Sequence, residues 1–217
     1  MLEKITLPHY TKSEELLNSV SHFFGVILGI ASSIMFIKKS TNVNSIVGSL
    51  IFGLSIIFLY TSSTLYHSLK RGIAKKIMRL IDHSVIYILI SGTCVGLSLI
   101  CIYQYSKIFT VSMSTVSLLL STIGIILSFI DQEKYKKVQL ILYLVVGWIS
   151  VMLVYPIYKY CENGTLIILL SLAGGIVYSV GMVFYIIGKK KKYFHSIFHL
   201  FVLSGTIIHI ITAYFSL

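Results

Sequence analysis

Seven long apolar segments dominate the chain and limit what it can fold into. They are separated by short polar stretches and cover about residues 19–37, 45–67, 80–102, 108–130, 138–157, 165–187 and 194–215. Each is long enough to cross about 30 Å of hydrocarbon as an α-helix. Lipid offers no hydrogen-bond partners to an exposed backbone, so helices are expected. The sequence therefore predicts an all-α integral membrane protein, a seven-transmembrane helix bundle.

Composition supports this prediction and leaves little room for anything else. Of the 217 residues, 56% are hydrophobic and 12% are charged, whereas soluble proteins carry about 25% charged residues. We expect a cytosolic segment at residues 1–18, with a short interfacial helix capped by Ser13, followed by one transmembrane domain at residues 19–217. Nucleic-acid binding is not expected, because it needs a basic surface on a folded soluble domain.

The distribution of Lys and Arg predicts how the bundle is oriented. Fourteen of the 18 lie in the N-terminal segment and in the second, fourth and sixth loops, and four lie on the opposite side. Positively charged loops remain in the cytosol. The bias places the N-terminus in the cytosol and the C-terminus outside, and it accounts for the net charge of +11.

Four ionisable residues inside the predicted spans fall at one depth. His67 ends the second span, Asp82 lies near the start of the third, and His195 and His199 lie in the first two turns of the seventh. The predicted topology puts all four near the inner leaflet. Ionisable groups are costly within a membrane, so such residues are candidates for function.

These residue types at this spacing are typical of a metal site. His195 and His199 are separated by one helical turn and project from the same face, as in the zinc-binding HExxH helix. His67 could supply a third imidazole, which leaves a fourth position open, the arrangement of catalytic Zn²⁺. Asp82 could hold or deprotonate a water there, and Ser63, four residues before His67, could donate a hydrogen bond.

Ordinary structural roles remain open for the same residues. His195 could lie at the membrane interface beside Lys192, and Asp82 could form an ion pair with Arg79, its neighbour three residues earlier. Under these alternatives the HxxxH spacing would be a coincidence, because two histidines often occur at that distance.

The other histidines of the spans receive different predictions. His83 points about 100° away from Asp82 around the helix, and packing or a polar position at the cytosolic mouth is expected. His22 could support a metal ligand from the first span. His209 lies roughly 21 Å along the helix from His195, too far to share its metal.

Glycines recur in two of the spans. They lie in the third span at Gly92 and Gly96, and in the sixth at Gly174, Gly175 and Gly181. Small residues let membrane helices approach closely, so these positions are expected at helix–helix contacts.

Several motifs, in order along nearly the whole chain, resemble those of the bacterial hemolysin III family, relatives of the progestin and adipoQ receptors. The matching stretches are EELLNSVSHFFG (14–25), YTSSTLYH (60–67), RLIDH (79–83), GGIVYSVGMVFY (174–185) and HSIFH (195–199). One departure follows Gly92-Thr93, where many relatives have Tyr-Thr-Pro and this chain has Cys94-Val95-Gly96. We expect that difference to concern the substrate cavity more than the metal site.

The resemblance implies seven spans with an internal N-terminus and zinc held by three histidines near the cytosolic side of a bacterial plasma membrane. The matching positions are His67, His195 and His199, with Ser63 and Asp82 at the SxxxH and Asp positions. The wider superfamily includes alkaline ceramidases, so hydrolysis of a lipid amide or ester is the implied chemistry.

Three functions are compatible with the sequence. The first is a zinc-dependent intramembrane hydrolase of lipid or acyl amides, with Asp82 handling the proton. The second is a membrane receptor or regulator of lipid homeostasis, in which zinc is structural and a lipid is the ligand. The third is a pore-forming hemolysin, which the family name suggests and which a charge pattern suited to ordinary membrane residence disfavours.

Overall fold

The computed structural model describes residues 5–188 and 191–217, and every regular element in these ranges is helical. The helices are α1 (Lys12–Lys39), α2 (Val43–Ser68), α3 (Ile73–Cys101), α4 (Lys107–Asp131), α5 (Lys136–Trp148), α6 (Val154–Tyr160), α7 (Gly164–Ile187) and α8 (Phe194–Ser216). A five-residue 3-10 segment, Ile149–Leu153, joins α5 to α6.

The seven predicted spans are confirmed. Within the described residues, seven helical stretches are long and apolar enough to cross a membrane, and α5, the 3-10 segment and α6 together form the fifth. Most of the helices extend by one or more residues beyond the predicted apolar segments, because the flanking residues continue the hydrogen-bonding pattern, whereas α3 ends one residue earlier than predicted.

The first helix begins earlier than the predicted apolar segment. Thr11, not Ser13, is its N-cap, and Thr11 and Glu14 form a reciprocal capping box. The helix continues unbroken from Lys12 into the span, so residues 12–18 are its first turns and not a separate interfacial helix. Residues 1–4 of the predicted N-terminal segment, and Lys189 and Lys190 of the sixth loop, lie outside the described residues.

The helices form a bundle with α3 near its middle. It contacts α2, α4, α5 and α8, while α8 also packs along α7 and returns to α1. The segment 5–11 and the loops after α2, α4 and α7 lie at the same end of this bundle, which we call the basic face. The orientation of that face toward the cytosol stays a prediction from charge.

Close helix contacts explain most of the recurring glycines. A Cβ on Gly96 would lie 2.8 Å from the Phe52 Cβ and 2.9 Å from the Gly48 carbonyl oxygen, and one on Gly92 would lie 2.5 Å from the Ser55 Cβ. These glycines let α2 and α3 approach closely, as predicted.

The prediction of close packing is wrong for Gly175. A Cβ there would meet only the ring of Trp148, at 3.8 Å, which is an ordinary contact. Gly174, its neighbour, faces α8 and meets an imidazole instead. Adjacent helical positions point about 100° apart, so only one of the two glycines can lie in the contact.

The break within the fifth span is a feature that the hydropathy pattern did not predict. Pro156 lies in the first turn of α6. Proline lacks an N–H and its ring clashes with the carbonyl four residues earlier, at Met152. The backbone accommodates this by tightening into the 3-10 segment that ends at Leu153.

Candidate metal centre

Three imidazoles from two helices converge at the basic face. His67 lies in the last turn of α2, and His195 and His199 lie in the first two turns of α8. One nitrogen from each ring lies within 4.8 Å of the others. The Nε2 atoms of His195 and His199 are 3.1 Å apart. The structure thus brings together the three histidines that the sequence predicted as ligands.

The alternative in which His195 lies at the membrane interface does not fit this arrangement. His195 is 8% exposed, and His67 and His199 are more deeply buried. A buried polar atom ordinarily has a partner. The His67 Nε2 atom has none among the described residues and is directed into the cluster. A metal ion would supply the missing partner.

Glu15 of α1 orients His67 from behind. The His67 Nδ1–H donates to the Glu15 Oε2 atom at 2.6 Å. A proton held at Nδ1 leaves the lone pair of Nε2 available to a metal. Metal-binding histidines commonly donate their second N–H to a carboxylate, which fixes the tautomer and the ring orientation.

A buried lysine completes this arrangement. The ammonium of Lys75, in the first turn of α3, lies 2.7 Å from the Glu15 Oε1 atom, and its side chain is 2% exposed. It also donates to the carbonyl oxygen of Leu69 at 3.0 Å. Glu15 therefore uses one oxygen for the histidine and the other for the lysine, linking α1, α2 and α3.

Other rings pack against the imidazoles, and two of these contacts are stacked. His22 of α1 stacks on His199, with ring centroids 3.8 Å apart, which agrees with the supporting role predicted for it. Tyr10 stacks on His195 with ring centroids 4.8 Å apart. These contacts restrict the rotation of both imidazole rings.

Tyr10 belongs to the extended segment 5–11, which lies across the basic face. Arg71 donates to the carbonyl oxygens of Pro8 and Leu7 at 2.8 and 3.2 Å, and Thr6 donates to Glu133 at 2.9 Å. Burial raises the pKa of the Tyr10 phenol above its usual range. The ring thus stays neutral over the histidines.

Asp82 and Ser63 lie near the histidine cluster, in the wall of a cavity. Both line the same cavity as His195 and His199. The Ser63 hydroxyl is positioned to donate to the Asp82 carboxyl. The alternative role for Asp82 in an ion pair with Arg79 is not the arrangement found, because Arg79 donates to Glu133 at 2.8 Å instead.

The cavity has a volume of about 180 Å³ and runs along the bundle between α3, the fifth span, α7 and α8. At one end are the two α8 histidines and Asp82. At the other are His209 and aliphatic side chains that include Leu97 and Ile157. Such a shape suits an elongated apolar molecule with a polar group at the histidine end.

Two further histidines of the predicted spans, His83 and His209, lie outside the three-histidine cluster. His83 lines the cavity wall and packs near Tyr185, with ring centroids 6.0 Å apart, which agrees with its predicted packing role. His209 lies ten residues beyond His199 on α8 and is not part of the three-histidine cluster.

Sequence reasoning missed Glu15, Lys75 and Tyr10. The acidic pair Glu14-Glu15 before the first span was a usable signal, because one carboxylate suffices to cap a helix. Glu14 performs that role through Thr11, which leaves Glu15 for another. No sequence signal singled out Tyr10 or Lys75.

Comparison with known proteins agrees with the motifs. A model of the family described as "Haemolysin-III related" matches residues 10–210. The Hemolysin-3 homolog of Bacillus subtilis (strain 168) is 37% identical over 200 residues, which is 91% of each chain. Hemolysin-3 of Bacillus cereus is 32% identical over 215 residues, covering 95% of this chain and 93% of the relative.

A more distant relative comes from animals. The human Monocyte to macrophage differentiation factor is 26% identical over 202 residues, covering 90% of this chain and 81% of the relative. The family match begins before α1 and covers all seven helical stretches except residues 211–216 at the end of α8. The chain therefore belongs to the haemolysin-III-related family of multi-pass membrane proteins.

Proposed function

We propose that this protein is a zinc-dependent hydrolase that cleaves an amide or ester of a lipid or acyl chain within the membrane. One observation carries the proposal. Three imidazole nitrogens that could hold a metal ion converge at the end of an apolar cavity whose wall also contains the Asp82 carboxyl and the Ser63 hydroxyl.

Zinc is the metal that best matches the donors. Imidazole ligands suit several transition metals, and three histidines with one open position are typical of catalytic zinc sites. His67, His195 and His199 would hold the ion, which would supply Lewis-acid polarisation of a substrate carbonyl. The unpartnered His67 Nε2 supports this assignment.

The protein's own groups have separable roles. Asp82 accepts the proton of the attacking water at its carboxylate and returns it to the leaving nitrogen or oxygen. Ser63 donates to that carboxylate and orients it. The apolar cavity holds the acyl chain, and the segment 5–11 with Tyr10 separates the histidines from bulk water.

Metal content tests the first half of the proposal. Detergent-purified protein is expected to hold one zinc ion per chain, and His199→Ala is expected to lose it. His9→Ala is the matched control, because His9 is exposed and lies outside the cluster. Wild-type protein that takes up no metal under non-chelating conditions would refute the zinc site.

Turnover tests the second half. Wild-type protein is expected to hydrolyse long-chain acyl amides or ceramides, and Asp82→Asn is expected to keep its zinc and lose hydrolysis. Zinc-loaded protein that binds such lipids without cleaving them would favour the receptor function. Conductance in pure lipid bilayers would favour a pore, the activity that the names of the two Bacillus relatives suggest.

A further inference from the structure

The far end of the cavity contains a second group of polar side chains, distinct from the metal centre. His209 lies ten residues after His199 on α8, and thus about 15 Å further along the helix. It is 8% exposed and lines the cavity. Its Nδ1 atom has no hydrogen-bond partner among the described residues.

The polar side chains between the metal centre and His209 form hydrogen bonds with one another or with the backbone, and His209 differs from them in this respect. The Tyr60 hydroxyl donates to the Thr206 Oγ1 atom at 2.7 Å, and the Tyr178 hydroxyl lies 2.8 Å from the same atom. Thr206 in turn donates to the Val202 carbonyl oxygen at 3.0 Å. These residues need no ligand to complete their hydrogen bonds.

Packing holds the His209 ring in place. It stacks on Tyr178 with ring centroids 5.4 Å apart. It also occupies the space where a side chain at position 174 would lie, because a Cβ on Gly174 would be 2.6 Å from its Nε2 atom. An imidazole fixed in this way is a preorganised hydrogen-bonding group rather than a mobile one.

Ser171 provides a second unsatisfied group at the same end. It lies one turn from Gly174 on α7, lines the cavity, and its hydroxyl has no partner among the described residues. Ser150 and Ser179 also line the cavity, but their hydroxyls donate to the carbonyl oxygens of Gly147 and Gly175. An unpaired buried polar group costs free energy, which a polar ligand atom would recover.

The charge of the cavity lining limits which polar ligand atom could bind to His209 and Ser171. Asp82, at the metal end, is the sole Asp, Glu, Lys or Arg among the described residues that line the cavity. Among the described residues no Lys or Arg lines the cavity, so none is available there to stabilise an anionic group. Neutral imidazole and hydroxyl groups both donate and accept hydrogen bonds, so they suit a neutral oxygen such as a hydroxyl or carbonyl.

We propose that His209 and Ser171 form a subsite for an uncharged oxygen-containing group, carried on the part of the substrate's apolar chain that lies farthest from the metal centre. The preferred substrate is then an acyl lipid with a hydroxyl or keto group remote from the bond that is cleaved. This inference rests on the proposed function for one point, the placement of the reacting carbonyl at the three-histidine end.

Trp148 makes the subsite measurable. It is the one tryptophan of the sequence and lines the cavity, so its fluorescence reports binding in detergent-purified protein. Octadecanoic acid is compared with 12-hydroxyoctadecanoic acid, whose hydroxyl can reach the far end, and with 2-hydroxyoctadecanoic acid, whose hydroxyl stays beside the carboxyl. One additional hydrogen bond predicts about 2- to 10-fold tighter binding of the 12-hydroxy acid than of the plain acid.

Substitutions at His209 and Ser171 test whether these residues cause the preference for the 12-hydroxy acid. His209→Phe is expected to remove the preference, so that the 12-hydroxy acid and octadecanoic acid bind this variant equally. His209→Gln, which keeps donor and acceptor atoms, is expected to retain part of the preference. Ser171→Ala is expected to weaken it. Ser150→Ala is the matched control and is expected to keep the wild-type preference, since the Ser150 hydroxyl already donates to the Gly147 carbonyl oxygen.

Three outcomes would overturn the inference: no preference in the wild type, an undiminished preference in both His209→Phe and Ser171→Ala, or no binding of any of the acids. If His209→Phe fails to fold, Ser171→Ala decides, because it removes a single oxygen atom. Failure of the proposed function is distinguishable. It appears as absent zinc or absent turnover, while the dependence of the 12-hydroxy preference on His209 and Ser171 persists.

Discussion

Replacing Glu15 by Gln tests whether the carboxylate behind His67 tunes the metal centre. In the wild type, its two oxygens accept from two different donors, the His67 Nδ1–H at 2.6 Å and the Lys75 ammonium at 2.7 Å. A glutamine side chain has one oxygen and one NH₂ group. It can therefore accept from one of the two donors only, because its NH₂ group is itself a donor and cannot accept from the other.

The expected effect can be estimated from the position of the residue. Loss of a partner that orients a metal ligand typically lowers metal affinity by 10- to 100-fold, which is about 1.4–2.8 kcal/mol. A second effect falls on stability, because Lys75 is 2% exposed and loses its counter-ion. Breaking a buried ion pair from one side is strongly destabilising.

Metal titration against a competing chelator of known affinity measures the first effect, and a thermal melt in the same detergent measures the second. Glu14→Gln is the matched control. Its carboxylate accepts from the Thr11 and Tyr193 backbone N–H groups and not from His67. We expect the control to lose some helix capping and to keep its metal affinity. Equal zinc affinity in Glu15→Gln and wild type would refute the role assigned to Glu15.

Three further predictions concern packing, access and pH. Gly96→Ala should lower stability by about 1–3 kcal/mol, because its methyl group enters a filled contact between α2 and α3, whereas Gly175→Ala should melt like the wild type. Tyr10→Ala should release zinc to an added chelator faster than the wild type, since it uncovers the histidine ring beneath it; an unchanged release rate would contradict that covering role. Burial disfavours ionised Glu133, but the hydrogen bond and charge of Arg79 outweigh it and lower the pKa of Glu133. The pair therefore stabilises the fold above the ordinary pKa of a glutamate, about 4.3, and this contribution should disappear as pH falls through the lowered pKa, which acid unfolding of Glu133→Gln against wild type will show.

The hydropathy pattern was sufficient to predict the membrane spans because it follows from the solvent. A helix must be about 20 apolar residues long to cross the hydrocarbon, and each of the seven apolar segments meets that requirement on its own. No long-range contact is needed for this inference. Helix ends were less predictable, because the chain continues its hydrogen bonds into polar residues, as at Thr11, where capping by Glu14 sets the first turn.

The convergence of His67, His195 and His199 was also predictable, and for a related reason. Successive spans cross the membrane in alternating directions, so the position of a residue along its span gives its depth. Residues that are far apart in sequence can therefore be assigned to the same depth. The HxxxH spacing supplied a common face for two of them. Depth alone did not specify which helices are neighbours, and the contact of α8 with α1 and α3 brings the three rings within reach.

The tertiary structure decided which polar partners meet. Arg79 is three residues from Asp82, yet it pairs with Glu133 on the loop after α4. Glu15 and Lys75 are 60 residues apart in the sequence and form an ion pair behind His67. Hydropathy and spacing carry no information on such pairs, because they depend on the rotation of each helix about its axis. The sequence by itself determined the spans and the common depth of the three histidines, while helix packing determined the partners that orient them.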